Sequence, residues 1–229
     1  MKYIGIIAAM NEEIESIKKL MSEVSIKEIY ELQFIQGKIN GKDIALVKCG
    51  VGKVNSARTT QILINNFNIK YVINVGTAGS LNENIEIGDI VIGEKLVQHD
   101  FDITAAGHEK GHITDVGKYF YSDRNLIEKT KKNIESMDEN FNCFIGTIAT
   151  GDIFVQELEV KDRIKKVFDA DCAEMEGAAI AQVCTLDKIP FIVIRSISDK
   201  PNGNNAMDFE KYLELACERY AKFIDFFIN

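Results

Sequence analysis

The sequence predicts a single-domain α/β three-layer sandwich, with a mixed central sheet and helices on both faces. Three observations lead there. Short apolar runs such as YIGIIAA (3–9), YVINVG (71–76) and FIVIRSIS (191–198) alternate with longer segments of helical period, as expected of a sheet covered by helices. Two strand-like runs, 29–41 and 42–49, meet at Asn40-Gly41, a hairpin signal that makes an all-parallel sheet untenable. The chain has only two prolines in 229 residues, with no low-complexity linker and no internal repeat, so one domain over 1–229 is the economical reading.

Each element has its own reason. Residues 3–9 form a charge-free apolar run, hence a buried strand. NEEIESIKKLM (11–21) follows with acids in its first turn, where a helix favours them. IYELQFIQGKING and KDIALVKC give the hairpin strands. VNSARTTQILINNF (54–67) has helical period, and 71–76 is again a buried strand. DIVIGEKLVQHD (89–100) reads as a long strand broken at Gly93. RNLIEKTKKNIESM (124–137) is an amphipathic helix. FIGTIAT (144–150) is a strand, 157–168 a basic helix, 171–175 a short extended piece and 176–187 a helix. After the strand 191–198, one long helix runs from about residue 207 to Ile228.

Composition narrows the function. Hydrophobic residues make up 46% of the chain, enough for a sizeable core. The net charge of −8 repels phosphate backbones, which argues against nucleic acid but not against uncharged nucleosides. The cysteines Cys49, Cys143, Cys172, Cys184 and Cys217 are odd in number and contain no C-x-x-C pair, so a reduced cytoplasmic protein with neither disulfides nor a zinc knuckle is expected. The N-terminal run is too short and too soon acidic for a signal peptide. No segment approaches the roughly 18 apolar residues of a membrane span.

Ligands of open α/β sheets bind beyond the carboxyl ends of strands. Here Met10-Asn11-Glu12-Glu13, GVGK (50–53), GTAGSL (76–81), GDIFVQ (151–156), Glu176 and Ser198-Asp199 follow six strands in turn. GVGK lacks the spacing and the Ser or Thr of a phosphate loop and reads as a tight strand-to-helix turn. GTAGSL is either an ordinary glycine turn or a loop whose N–H groups hold a polar ligand. His108 and His112 are four apart, but Gly107 and Gly111 break any helix there, so a solvated loop is preferred to a metal site.

Three carboxylates stand out. Glu12 and Glu13 both suit a helix first turn, but about 100° separates them around the axis, so one faces the strand ends. Asp199 ends a buried strand before a turn-like KPNG, a place where a carboxyl is partly desolvated and its pKa rises. Glu176 opens a helix whose dipole and free N–H groups should keep it ionised. Glu174 either shares that face or pairs with a base such as Arg195.

The segments GIIAAMNEE, CGVGKVNSA, INVGTAGSL, GDIVIGE, QHDFDITAAG, TGDIFV, AEMEGAAIA and VIRSISD run in order from residue 5 to 199. On these segments the chain resembles the 5′-methylthioadenosine/S-adenosylhomocysteine nucleosidases of the nucleoside phosphorylase superfamily. The resemblance implies irreversible hydrolysis of an N-glycosidic bond, giving adenine and a 5-thioribose, with no cofactor and no metal. It makes Asp199 the acid that protonates adenine N7, Glu13 the base for the attacking water and Glu176 the holder of the ribose 2′-hydroxyl. It places Phe154 and the Val155 backbone on adenine, Met175 against the ribose, and Thr77, Gly79, Arg195 and Ser198 around the reacting centre. Met10, Val51 and Phe209 line the alkylthio pocket. It also implies a homodimer whose partner lends Ile103, from HDFDITAAG, to the 5′-pocket. Ala106 stands where the family more often has an aromatic. Two alternatives remain. One is a phosphate-using purine nucleoside phosphorylase, disfavoured because Asn74 stands where such enzymes normally carry arginine. The other is a nucleoside binder without turnover.

Overall fold

The computed structural model describes residues 2–136, 141–200 and 205–229; the side chains of 135 and 205–210 also lie outside the description. The elements are β1 (Tyr3–Ala8), α1 (Asn11–Lys18), β2 (Ser22–Ile29), β3 (Leu32–Ile39), β4 (Lys42–Lys48), α2 (Lys53–Asn66), β5 (Ile69–Ser80), β6 (Ile90–Gln98), β7 (Phe120–Tyr121), α3 (Arg124–Glu135), β8 (Cys143–Thr150), α4 (Leu158–Phe168), β9 (Cys172–Glu174), α5 (Gly177–Leu186), β10 (Phe191–Asp199) and α6 (Asn205–Ile228).

The strands form one mixed ten-stranded sheet. β1 lies parallel between β4 and β5, and β5 is parallel to β10. β10 then runs antiparallel to β6, β6 and β8 are parallel, β8 and β9 are parallel, and β9 returns antiparallel to β5. The five strands β5, β10, β6, β8 and β9 therefore close into a ring, with β1, β4, β3 and β2 extending from it. The sandwich is thus more tightly coiled than a flat three-layer arrangement.

The pleat sends alternate residues into different cores. In β1, Ile6 joins Ile14 and Ile17 of α1 and Phe223 and Phe227 of α6. Its neighbour Ile7 joins Leu63 of α2 and Ile180 and Cys184 of α5. Burial on both faces explains why β1, the middle of β5 and the start of β10 read as mostly apolar runs without alternation. A smaller core sets Ile164 and Phe168 of α4 against Ala149 and Ala173.

The hairpin at Asn40-Gly41 is present, with both residues at positive φ (48° and 74°). The expected strand 29–41 is β3, shortened to 32–39, and a further strand that the sequence did not announce precedes it. β2 occupies 22–29, a stretch to which the sequence reading assigns no element except at Ile29, and a second tight turn falls at Tyr30-Glu31, again at positive φ (51° and 66°). Neither residue is a usual choice for that conformation. β2 is an edge strand exposed almost throughout, so no apolar alternation marks it. All five cysteines are free. Among the described residues no helix is long and apolar enough to cross a membrane.

Candidate active site

A cavity of about 270 Å³ opens where the strand ends converge. Met10 enters it from the end of β1, Val51 from beyond β4, and Thr77 and Gly79 from β5. Phe154 and Val155 come from the loop after β8, Met175 and Glu176 from the β9–α5 junction, and Ser198 and Asp199 from the end of β10. Glu13, Glu176 and Asp199, separated by up to 186 positions in sequence, thus line one space.

Glu13 is the buried member of its pair and Glu12 the exposed one. From the third position of α1 its Oε2 reaches back and accepts the N–H groups of Ala9 at 2.9 Å and Met10 at 3.0 Å. The capping role and the site role therefore coexist in one carboxylate: Oε2 closes the helix start, and Oε1 remains for the cavity. Burial raises the Glu13 pKa, opposed by the Met10 N–H and the nearby Arg195 charge.

GTAGS is not a loop. β5 continues to Ser80, and its last residues pair with β10 and β9. No helix start and no anion-holding turn exists there. Gly79 is instead the point where three strands meet, opposite both Asp199 and Ala173. A Cβ at Gly79 would lie 2.8 Å from Asp199 Oδ2. Gly79→Ala is therefore expected to push the Asp199 carboxyl aside and cut kcat by about 10²-fold while leaving the fold intact; an alanine variant with unchanged kcat would show that the carboxyl position does not matter.

Asp199 is buried and accepts the Ser198 hydroxyl at 3.0 Å on Oδ1. Lys161 Nζ lies 3.8 Å from Oδ2. Lys161 is a cavity-lining residue that sequence reasoning missed, along with Ile153 and Leu81. A helical wheel would have found it, since Lys161, Ile164 and Phe168 form the buried stripe of α4.

Glu176 departs from expectation. It is the residue before the first turn of α5, but the free N–H groups of that turn are taken by others. Glu174 Oε2 accepts from Glu176 N at 3.0 Å and Gly177 N at 2.7 Å, and Thr150 Oγ1 accepts from Ala178 N at 2.8 Å. Glu176 Oε1 accepts only Gly52 N, at 2.8 Å. Burial, and then the neighbouring Glu174 charge, push its pKa up to about 7. The helix dipole does not hold it ionised throughout the neutral range.

Arg195 does not line the cavity. It packs over Gly76 behind the wall, where a Cβ on Gly76 would sit 3.3 Å from its Cζ. Its Nη2 donates to Glu174 Oε2 at 2.5 Å and to Asn74 Oδ1 at 2.6 Å. A fully buried guanidinium needs such partners. Burial alone would raise the Glu174 pKa, but Arg195 and the Thr150 hydroxyl bring it below the ordinary value. Both readings of Glu174 hold: it pairs with Arg195 and also lines the cavity beside Glu176. Ile103 lies on the loop before a 3₁₀ turn at Thr104–Ala106 and does not enter the cavity of its own chain. Phe209 falls on α6, and its side chain lies outside the described residues.

GVGK is a locked turn. Gly50 and Gly52 have positive φ, and Lys53 Nζ donates to Asp100 Oδ1 at 2.7 Å, away from the cavity. Asp152 Oδ1 accepts Lys53 N at 2.8 Å, while Asp152 N donates to Asp100 Oδ2 at 2.9 Å. Among the described residues no arginine lines the cavity and no cluster of His, Cys, Asp or Glu could hold a metal. His108 and His112 stack at 5.2 Å.

The sequence pattern of the phosphorylase superfamily matches residues 3–229. A 5′-methylthioadenosine/S-adenosylhomocysteine nucleosidase of Staphylococcus haemolyticus is 37% identical over 227 residues, 99% of each chain. This chain belongs to that nucleosidase family. Among solved structures, the nucleosidase of Neisseria meningitidis in complex with methylthio-immucillin-A superposes with a TM-score of 0.95 at 34% identity, covering 100% of this chain and 99% of the other. A futalosine hydrolase of Helicobacter pylori superposes with a TM-score of 0.94 at 33% identity, covering 99% and 97%. The family fold, a mixed sheet with helices on both faces, is the one read from the sequence.

Proposed function

We propose that the protein hydrolyses the N-glycosidic bond of 5′-methylthioadenosine and S-adenosylhomocysteine, releasing adenine and the 5-thioribose. The observation that carries this reading is the meeting of Glu13, Glu176 and Asp199 in one cavity that no arginine lines among the described residues. A purine leaves poorly as an anion, so the N9–C1′ bond breaks with a proton delivered from Asp199 to N7. The bonding pair goes to the purine, and positive charge develops on the ribosyl ring. Glu176, ionised, accepts the 2′-hydroxyl and stabilises that charge. Water adds its oxygen to C1′ and gives a proton to Glu13. Solvent then takes that proton and returns one to Asp199, so atoms and charge balance.

The remaining residues divide the substrate. Phe154 stacks on adenine and the Val155 backbone reads its edge. Met175 packs on the ribose, Ser198 orients Asp199, and Thr77 and Gly79 border the attack site. Met10 and Val51, with Phe209, take the alkylthio group. Arg195 acts from behind the wall by holding Glu174.

Hydrolysis is preferred to phosphorolysis because the attack position offers Glu13, whose charge repels phosphate. Asn74 is committed to the Ile7 carbonyl and to Arg195. Adenine release from 5′-methylthioadenosine, followed with and without phosphate, tests this. Equal rates are expected; release only with phosphate would mean a phosphorylase, and no release would leave a nucleoside binder. The futalosine hydrolase likeness leaves a second arm: rates for 5′-methylthioadenosine, S-adenosylhomocysteine, 5′-deoxyadenosine and futalosine, side by side, rank the 5′-substituents.

The working unit we propose is one catalytic domain per chain in a cytoplasmic homodimer, in which the partner's 103 region completes the 5′-pocket. Val51, Ile153 and Phe154, which line the cavity, are between 47% and 50% exposed, an apolar rim suited to a second copy. A monomer in sedimentation equilibrium at micromolar concentration would contradict that assembly.

A pH dependence follows. A carboxyl whose pKa is raised to about 7 is ionised above that pH and neutral below it. Protonation removes the acceptor for the 2′-hydroxyl, so kcat/KM is expected to fall as pH drops through about 7, with an apparent value belonging to the coupled Glu174–Glu176 pair. A flat profile from pH 5 to 8 would show that Glu176 does not need its charge.

A further inference from the structure

We propose that Lys161 is a positioning residue for Asp199, fixing its carboxyl against the cavity and stabilising the carboxylate left once the proton has gone to the purine. The inference rests on Asp199 being the general acid.

The geometry is a two-point hold. Lys161 comes from the buried face of α4 and is only 2% exposed. Its Nζ donates to the Lys200 carbonyl at 3.1 Å and lies 3.8 Å from Asp199 Oδ2. The carbonyl belongs to the residue directly after the acid, so one ammonium ties both the chain at the end of β10 and the carboxyl it carries. Ser198 Oγ engages the opposite oxygen at 3.0 Å. The carboxyl is therefore gripped on Oδ1 and Oδ2, with Gly79 clearing the space beside it. Burying a lysine is costly unless its charge is used. Desolvation pulls the Lys161 pKa down and the Asp199 charge pulls it back up.

Other ionisable groups share the surroundings. Cys172 and Glu174 lie on β9 and Arg195 on β10; Glu13 and Glu176 face the same cavity. Arg195 is committed to Glu174 and Asn74. The Lys200 ammonium is paired with Glu86. Lys161 is the cation that the described residues place on the cavity wall. It sits beside the acid, whereas Glu13 takes backbone N–H groups of the β1–α1 junction.

The test is the pH profile of kcat/KM for 5′-methylthioadenosine cleavage by the wild type, Lys161→Gln, Lys161→Met and Lys161→Arg. Glutamine keeps a donor for the Lys200 carbonyl but carries no charge; arginine keeps the charge. Removing the cation makes the Asp199 carboxyl harder to ionise. The alkaline limb, where the acid is lost, should therefore move up by about one pH unit in the neutral variants. Their plateau kcat should fall about tenfold, as the weaker acid gives up its proton less readily, with KM little changed. Arginine should keep the wild-type limb. An alkaline limb that stays put in Lys161→Gln, or shifts equally in Lys161→Arg, would overturn the inference. Asp199→Asn run alongside separates the two levels: if it keeps the wild-type rate, the general-acid reading has failed, whereas if it is slow and the Lys161 limb is unmoved, only the role of Lys161 has.

Discussion

Asp199→Asn is expected to release adenine about 10²–10⁴-fold more slowly than the wild type while still binding an uncleavable substrate analogue. The change is isosteric, and the amide can still accept the Ser198 hydroxyl. What it cannot do is transfer a proton to the purine. The leaving group then departs with its negative charge uncompensated, and the barrier rises by the full value of the lost acid. Binding depends on Phe154, Met175 and the ribose contacts, which the substitution does not touch, so the loss should fall on kcat and spare the dissociation constant. Single-turnover adenine release and calorimetric titration with the analogue separate the two. An undiminished rate would remove the acid role from Asp199.

Arg195→Met should produce the largest loss of stability, about 3–5 kcal/mol, because it strands a buried charge. Arg195 is 1% exposed and holds both Glu174 and Asn74. Without it Glu174 must stay charged and unpaired or take up a proton. Glu174 also accepts the first N–H groups of α5, so that helix start is weakened as well. Since a domain is stable by only about 5–15 kcal/mol in total, such a loss is a large share. Adding Glu174→Gln should recover part of it, because the uncompensated charge is then gone. Urea unfolding of the single and double variants measures this. A cost below about 1 kcal/mol for Arg195→Met would mean that the pair contributes little.

The effect should reach the site too. The Arg195 charge holds down the pKa of both Glu13 and Glu176. Without it both carboxyls protonate at higher pH, and activity at neutral pH falls even in molecules that remain folded. An arginine that lines no cavity thereby conditions two residues that do.

Much of this was legible in the sequence, and the gaps have physical causes. Local period marks burial, so the central strands buried on both faces and the helices over them could be placed, though not all their ends: β5 runs to Ser80 and α1 stops at Lys18. The Asn40-Gly41 turn was legible because its conformation demands those residues. Tyr30-Glu31 adopts the same positive φ without them, and β2 before it is exposed on both sides; neither leaves a local trace. GTAGS looked like a loop because small residues usually break strands, yet here they let β5, β9 and β10 approach closely.

The site divides the same way. Glu13, Glu176 and Asp199 could be picked out because each follows an apolar run. That Glu174 both lines the cavity and pairs with Arg195 could not be decided, since that depends on how β9 and β10 are placed in the ring. The raised pKa of Glu176 was not foreseen because a helix start offers N–H groups to whichever carboxylate reaches them, and Glu174 reaches them first. Lys161 was hidden inside a basic helix, where the ordinary reading of a lysine is a solvated one.

The most direct measurement is a crystal structure of the protein with an uncleavable cationic ribosyl analogue of 5′-methylthioadenosine. Asp199 should lie about 2.6–3.2 Å from purine N7, with Glu13 at a similar distance from a water on the other face of the sugar. A purine seated away from Asp199, or a sugar that Glu13 cannot reach even through one water, would contradict the claim that these two carboxyls work on a single bond.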